Sequence, residues 1–187
     1  MVFPAWKIVI LAVVTATLSF ISRSSLTRLH SHGFYRFIAW ELILFLFLIN
    51  INFWFNQPFS FFQVISWLLL LLSLVPLTMG LILLHKMGKP GSSRQSDQAL
   101  LSFEKTSHLV KVGIFRYIRH PLYASLLLLS WGIFFKQISW LSVILTLLAS
   151  LCLFLTALAE EKEMLQFFGN EYLSYMKETK RFIPFIF

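Results

Sequence analysis

Long apolar runs alternate with short cationic segments along this chain. A helix needs about 20 mostly apolar residues to cross a bilayer, and the runs at 5 to 21, 37 to 55 and 61 to 84 reach or approach that length. Residues 122 to 135 and 138 to 159 are apolar as well, parted only by Lys136 and Gln137. That break predicts a helical hairpin with a tight tip, whose short first arm is expected to begin inside the membrane. The last run should stay helical through Glu160, Glu161, Lys162 and Glu163 to Phe168, because no breaker precedes Gly169. Gly169 suits a helix stop and Asn170 the cap of a final short helix to about Glu178.

Smaller signals refine this outline. Pro76, Thr78 and Gly80 in the third run fit either a kink, with the threonine satisfying a freed carbonyl, or ordinary small-residue packing. Glu41, Asn50 and Asn52 in the second run should face the bundle interior or the interface, Glu41 near the cytoplasmic end. Residues 85 to 96 are rich in Gly, Pro and Ser and predict a mobile loop. Ser96 or Asp97 could then cap a short amphipathic helix through Lys105.

Composition settles the class. With 58% hydrophobic, 17% aromatic and 13% charged residues, the chain reads as an integral membrane protein, all-α, a polytopic bundle of about five transmembrane helices. Its 187 residues allow one domain. The formal charge of +8 does not point to nucleic acid, because 14 of the 16 Lys and Arg lie in segments 22 to 36, 85 to 119 and 160 to 187. The positive-inside rule puts those segments and the C-terminus in the cytoplasm, with the N-terminus, Lys7 and Lys136 outside. The apolar stretch after Lys7 then reads as a first span rather than a signal peptide.

Several chemistries drop out. Cys152 is the only cysteine and sits in an apolar run, so it reads as a packing residue. His30, His32, His85 and His108 show no metal-ligand spacing, and no metal is expected. His30 and His32 should be solvated or near headgroups. No Gly-x-Gly occurs, which removes the dinucleotide fingerprint, and neither a P-loop nor a nucleophile elbow is present.

Two polar clusters remain. Residues 113 to 123 hold Arg116, Arg119, His120, Tyr117 and Tyr123 just before an apolar run that starts at Pro121. Five of the eight acidic residues, Glu160, Glu161, Glu163, Glu171 and Glu178, follow the last run. The topology brings both clusters to one side of the membrane. Arg and His can hold a carboxylate, Glu an ammonium or a ribose diol, and aromatic faces an adenine or a cation. S-adenosylmethionine has all these parts. The same charges also fit a plainer role, flanking helix ends at the interface.

The run Gly113-Ile114-Phe115-Arg116-Tyr117-Ile118-Arg119-His120-Pro121-Leu122-Tyr123 resembles the G-x-Y-R-Y-x-R-H-P-x-Y signature of the isoprenylcysteine carboxyl methyltransferase and phospholipid methyltransferase superfamily. Glu160-Glu161, Phe168-Gly169-Asn170-Glu171-Tyr172, Tyr175 and Arg181-Phe182-Ile183-Pro184 resemble its E-E…F-G-x-x-Y…Y…R-x-x-P tail. The resemblance covers residues 109 to 184. Phe115 replaces a usual tyrosine, and Ser125 stands where a glycine often follows.

This resemblance implies a membrane methyltransferase that uses S-adenosylmethionine on a lipophilic acceptor, isoprenylcysteine carboxylate-like or lipid. It implies cofactor binding by Leu109, Val110, Gly113, His120, Tyr123, Glu160 and Glu161. Arg119 would hold the cofactor carboxylate or orient the loop, and Arg181 would close the pocket or meet the acceptor's charged head. Tyr172 and Phe168 would pack the tail. Two other readings stay open: an NADPH-dependent membrane reductase of the sterol reductase type, and a non-enzymic lipid-binding scaffold.

Overall fold

Each apolar run becomes a helix, because a backbone in hydrocarbon must satisfy its own polar groups. The structure is a computed structural model that describes residues 4–88 and 107–185. Among them the helices are α1 (Ala5–Ile21), α2 (Arg23–Leu26), α3 (His32–Asn50), α4 (Phe61–Met87), α5 (Pro121–Phe134), α6 (Trp140–Phe168) and α7 (Asn170–Glu178). Three of these, α4, α6 and α3 with its 3-10 extension, are long and apolar enough to cross a membrane. At 17 and 14 residues, α1 and α5 are shorter apolar helices. The protein is a membrane helix bundle.

Two close pairs build it. On α6, Leu145, Ala149, Leu153 and Ala157 recur every fourth residue and pack on Ala39, Ile43 and Leu46 of α3. On α4, Gly80 and Gly132 of α5 allow the second pair to approach. A Cβ at Gly132 would lie 2.9 Å from Leu70 side-chain atoms, and one at Gly80 would lie 3.2 Å from Leu122. Ser66 donates to the Gly132 carbonyl at 2.6 Å. The opposite faces of α4 and α6 expose Leu68, Leu71, Leu72, Ile144, Leu147 and Leu151, as lipid contact requires.

Polar side chains lie inside. Asn50 is buried and donates to the Ile133 carbonyl at 3.0 Å, while Asn52 is exposed beyond the end of α3. Cys152 packs half-buried against the core.

Some boundaries differ from expectation. The second span starts at His32 rather than 37, because Ser31 caps it by accepting from the Phe34 N–H at 3.2 Å. Glu41 therefore sits ten residues into the helix, away from its end, and accepts from Thr15 of α1 at 2.7 Å. The same early start buries His32, which was expected to be solvated. Its Nδ1 lies 2.6 Å from Glu163 Oε2 of α6. His30 is exposed.

The third span runs to Met87, past the predicted loop start at 85. The rest of that loop, and the helix predicted from Ser96 or Asp97 to Lys105, lie outside the described residues. Helix α4 continues through Pro76. Thr78 donates to the Leu74 and Val75 carbonyls, not to that of Leu72, the carbonyl a proline at 76 leaves unbonded. Gly169, not Asn170, flanks α7, with φ 55 and ψ −129.

Candidate active site

The signature segment enters from a 3-10 turn, Gly113–Arg116. Gly113 has φ 59, a conformation that favours glycine, and a Cβ there would come within 2.6 Å of the end of the Leu83 side chain, which would have to shift. The chain then runs beside the tail, where an isolated parallel bridge pairs Ile118 with Lys180. Arg119 N–H donates to the Lys180 carbonyl at 2.8 Å, His120 N–H to the Arg181 carbonyl at 3.1 Å, and Lys180 N–H to the Tyr117 carbonyl at 3.1 Å. These bonds bring together residues some 60 positions apart in sequence.

His120 is the N-cap of α5, with Pro121 as the first helical residue, where its missing N–H is harmless. The imidazole does not cap the helix. It turns instead between two carboxylates of α6, with Nδ1 3.4 Å from Glu160 Oε2 and Nε2 3.4 Å from Glu161 Oε1. Tyr123, one turn on, stacks its ring on that of His120 at 5.5 Å and 18°. Burial by itself would lower the His120 pKa. Hydrogen bonding to Glu160 and Glu161 and their charges outweigh it, holding His120 above the ordinary histidine value.

Glu161 is the hub. Arg119 reaches Oε1 through Nε at 3.0 Å and a terminal nitrogen at 2.9 Å. Arg181 grips Oε1 and Oε2 at 3.1 and 3.2 Å through Nε, and Oε2 again at 3.0 Å through a terminal nitrogen. The other arm of Arg119 donates to the carbonyls of Met176 and Thr179 and to the Thr179 hydroxyl. Tyr175 donates to the Phe115 carbonyl at 2.6 Å, and burial raises its phenol pKa, which keeps that donor neutral.

Two adjoining clefts, each about 60 Å³, open on this cluster. Arg119, His120, Glu160, Leu84, Phe115 and Met164 line both. Tyr123 lines the first, and Leu109, Val110, Tyr172 and Tyr175 line the second. Of the residues expected to bind cofactor, Glu161 and Gly113 lie outside both linings, as does Arg181. Their contacts place them behind the cleft, where Glu161 holds the two arginines and Gly113 lets the loop pass Leu83.

Sequence reasoning missed three features. Thr179 anchors Arg119, Leu84 and Met164 supply apolar cleft walls, and the His32 to Glu163 contact ties α3 to α6 beside the cluster. Only the acidic helix extension hinted at the last. Ser125, in the position of a frequent glycine, folds its hydroxyl back onto the Leu122 carbonyl at 3.0 Å. The Phe115 side chain is buried.

The donor set suits a zwitterionic ligand with a planar base. It combines a carboxylate and a guanidinium lining the cleft, Glu160 and Arg119, a second guanidinium behind it, Arg181, and a stacked pair of rings. The family model for phospholipid methyltransferases matches residues 93–171, and that family lies within the isoprenylcysteine and phospholipid methyltransferase superfamily. The match takes in the signature and both glutamates, while Tyr172, Tyr175 and Arg181 lie beyond it. Neither a search of curated proteins nor one of solved structures returns a match.

Proposed function

We propose, from the premise that residues 93–171 carry the phospholipid methyltransferase pattern, that this chain moves a methyl group from S-adenosylmethionine to a lipophilic acceptor in the membrane. The observation that carries the proposal is the convergence of Arg119, His120 and Glu160 on clefts walled by Leu84, Leu122 and Met164. A charged ligand meets an apolar wall there.

Glu160 would hold the cofactor's ammonium or ribose diol, and the His120–Tyr123 stack its base. Arg119, fixed by Glu161 and Thr179, would stand toward its carboxylate. Bound there, the cofactor would supply a methyl group on a sulfonium. The chain's part is then positioning and exclusion of water, since such a displacement needs no covalent nucleophile. A carboxylate acceptor, already ionised, also needs no base, which favours an acceptor of that kind over an amine. Leu84 and Leu122 would face its apolar tail. A cleft of about 60 Å³ takes only part of such a cofactor, so binding must widen it by moving Met164 or Leu84.

Calorimetry on the detergent-purified protein tests this reading. S-adenosylmethionine and S-adenosylhomocysteine should bind, and Glu160→Gln should weaken both about tenfold or more, the usual worth of a charged hydrogen bond. Failure of both compounds to bind would end the methyltransferase reading. Binding of NADPH instead would favour a reductase.

A further inference from the structure

The end of the bundle remote from His120 holds a second polar cluster that methyl transfer does not use. Lys136, in the tip between α5 and α6, is only 4% exposed. Its Nζ donates to Gln63 Oε1 at 3.0 Å and stands 3.6 Å from the Trp67 ring centroid and 5.1 Å from that of Trp54. Among the described residues no carboxylate shares this end. None of the eight acidic residues falls in segments 50 to 62 or 135 to 140, and Lys136 forms no ion pair among the described residues. Ring faces offset only part of the cost of desolvating an ammonium.

Two spaces flank Lys136 and the two rings under its ammonium. On one side is a polar pocket of about 270 Å³, lined by Asn56, Gln57, Ser60, Gln63, Lys136 and Gln137 among others. Gln57 is held there at φ 45, a conformation that a residue with a side chain seldom adopts without cause. On the other side is an apolar cavity of about 850 Å³ between α1, α3, α4 and α5, within the range of ligand sites. Trp54 and Trp67, the two rings under the ammonium, are part of its wall.

We propose that this end of the bundle binds an anionic phospholipid, its phosphate at Lys136 in the pocket of amides and its acyl chain in the cavity walled by Trp54 and Trp67. The phosphate supplies the counter-charge that the described residues do not, and its oxygens accept from Lys136 and the amide groups. Burial pushes the Lys136 pKa down to about 8, so a bound anion also keeps the side chain charged. The 14 residues of α5 separate this site from His120 by about 20 Å at the usual helical rise. A headgroup at Lys136 therefore does not reach the cluster around Glu161, and the lipid site stands whatever that cluster binds.

Native mass spectrometry of the full chain released from nanodiscs with equal dioleoyl phosphatidylglycerol and dioleoyl phosphatidylcholine tests the proposal. Wild type and Lys136→Arg should retain the anionic lipid preferentially, and Lys136→Gln should reduce that preference about fivefold, the usual worth of one basic side chain at an anionic surface. Millimolar inorganic phosphate should not compete. Equal retention of the two lipids, an undiminished preference in Lys136→Gln, or displacement by phosphate would overturn it. A phosphatidylglycerol with a diazirine in its acyl chain gives a readout on wild type alone. Crosslinks should map to Trp54, Trp67 or residues 126 to 133, and crosslinks confined to other helices would refute the site.

Discussion

Glu161 has both carboxylate oxygens occupied by arginines, and the two residues it holds come from either side of it in the sequence, Arg119 42 positions before it and Arg181 20 after. Glu161→Gln would leave two guanidinium groups facing a neutral amide. Breaking a buried pair this way costs about 3 kcal/mol or more, so the variant's thermal midpoint in detergent should fall well below that of wild type.

His120 gives a pH prediction. Its folded pKa is raised, so its stabilising contribution is fully present below the unfolded value of about 6.5 and is lost as pH climbs through the folded value. Melting curves should therefore shift to lower temperature as pH rises above that point, and His120→Asn should flatten the shift. Both residues stood out in the sequence by motif. Their division of labour did not. Adjacent residues on a helix point about 100° apart, and only the rotation of α6 decides that Glu160 faces the cleft while Glu161 faces the arginines.

At the scale of elements, helix existence followed from run length, because the cost of exposed backbone in hydrocarbon leaves no other structure. Helix ends were less legible. The start of α3 depended on whether Ser31 capped it, a local bond that competes with loop conformations of similar energy. The α4–α5 contact depends on a missing side chain. Gly132→Ala would press a methyl group to within 2.9 Å of Leu70 side-chain atoms and 3.2 Å of its backbone nitrogen. The cost should be about 1 to 3 kcal/mol, read as a lower thermal midpoint in detergent. Gly169 makes the opposite case, since a Cβ there meets nothing and its need for glycine lies wholly in φ 55.

Over the whole molecule, the two ends differ in chemistry. One gathers Arg119, Arg181, His120 and the glutamates, and the other holds Lys136 with amides and tryptophans. The charge asymmetry along the chain predicts that the first end is cytoplasmic. In a Cys152→Ser background, cysteine at Phe59 should react with a membrane-impermeant maleimide added to whole cells. Cysteine at Lys177 should react only after permeabilisation. Both positions are exposed. The reverse pattern would invert the topology.

The apolar helices, the hairpin and the polar segments were legible because hydrophobicity and charge act residue by residue against a fixed solvent, the bilayer; of the five spans expected, three helices are long and apolar enough to cross, with α1 and α5 shorter. The family pattern was legible because it is an order of residue types. The pairing of residues 117 to 120 with the tail, the burial of His32 against Glu163, and the two spaces around Lys136 were not. Each depends on helices from distant parts of the chain meeting at one rotation and one depth, and that choice rests on side-chain packing summed over the bundle.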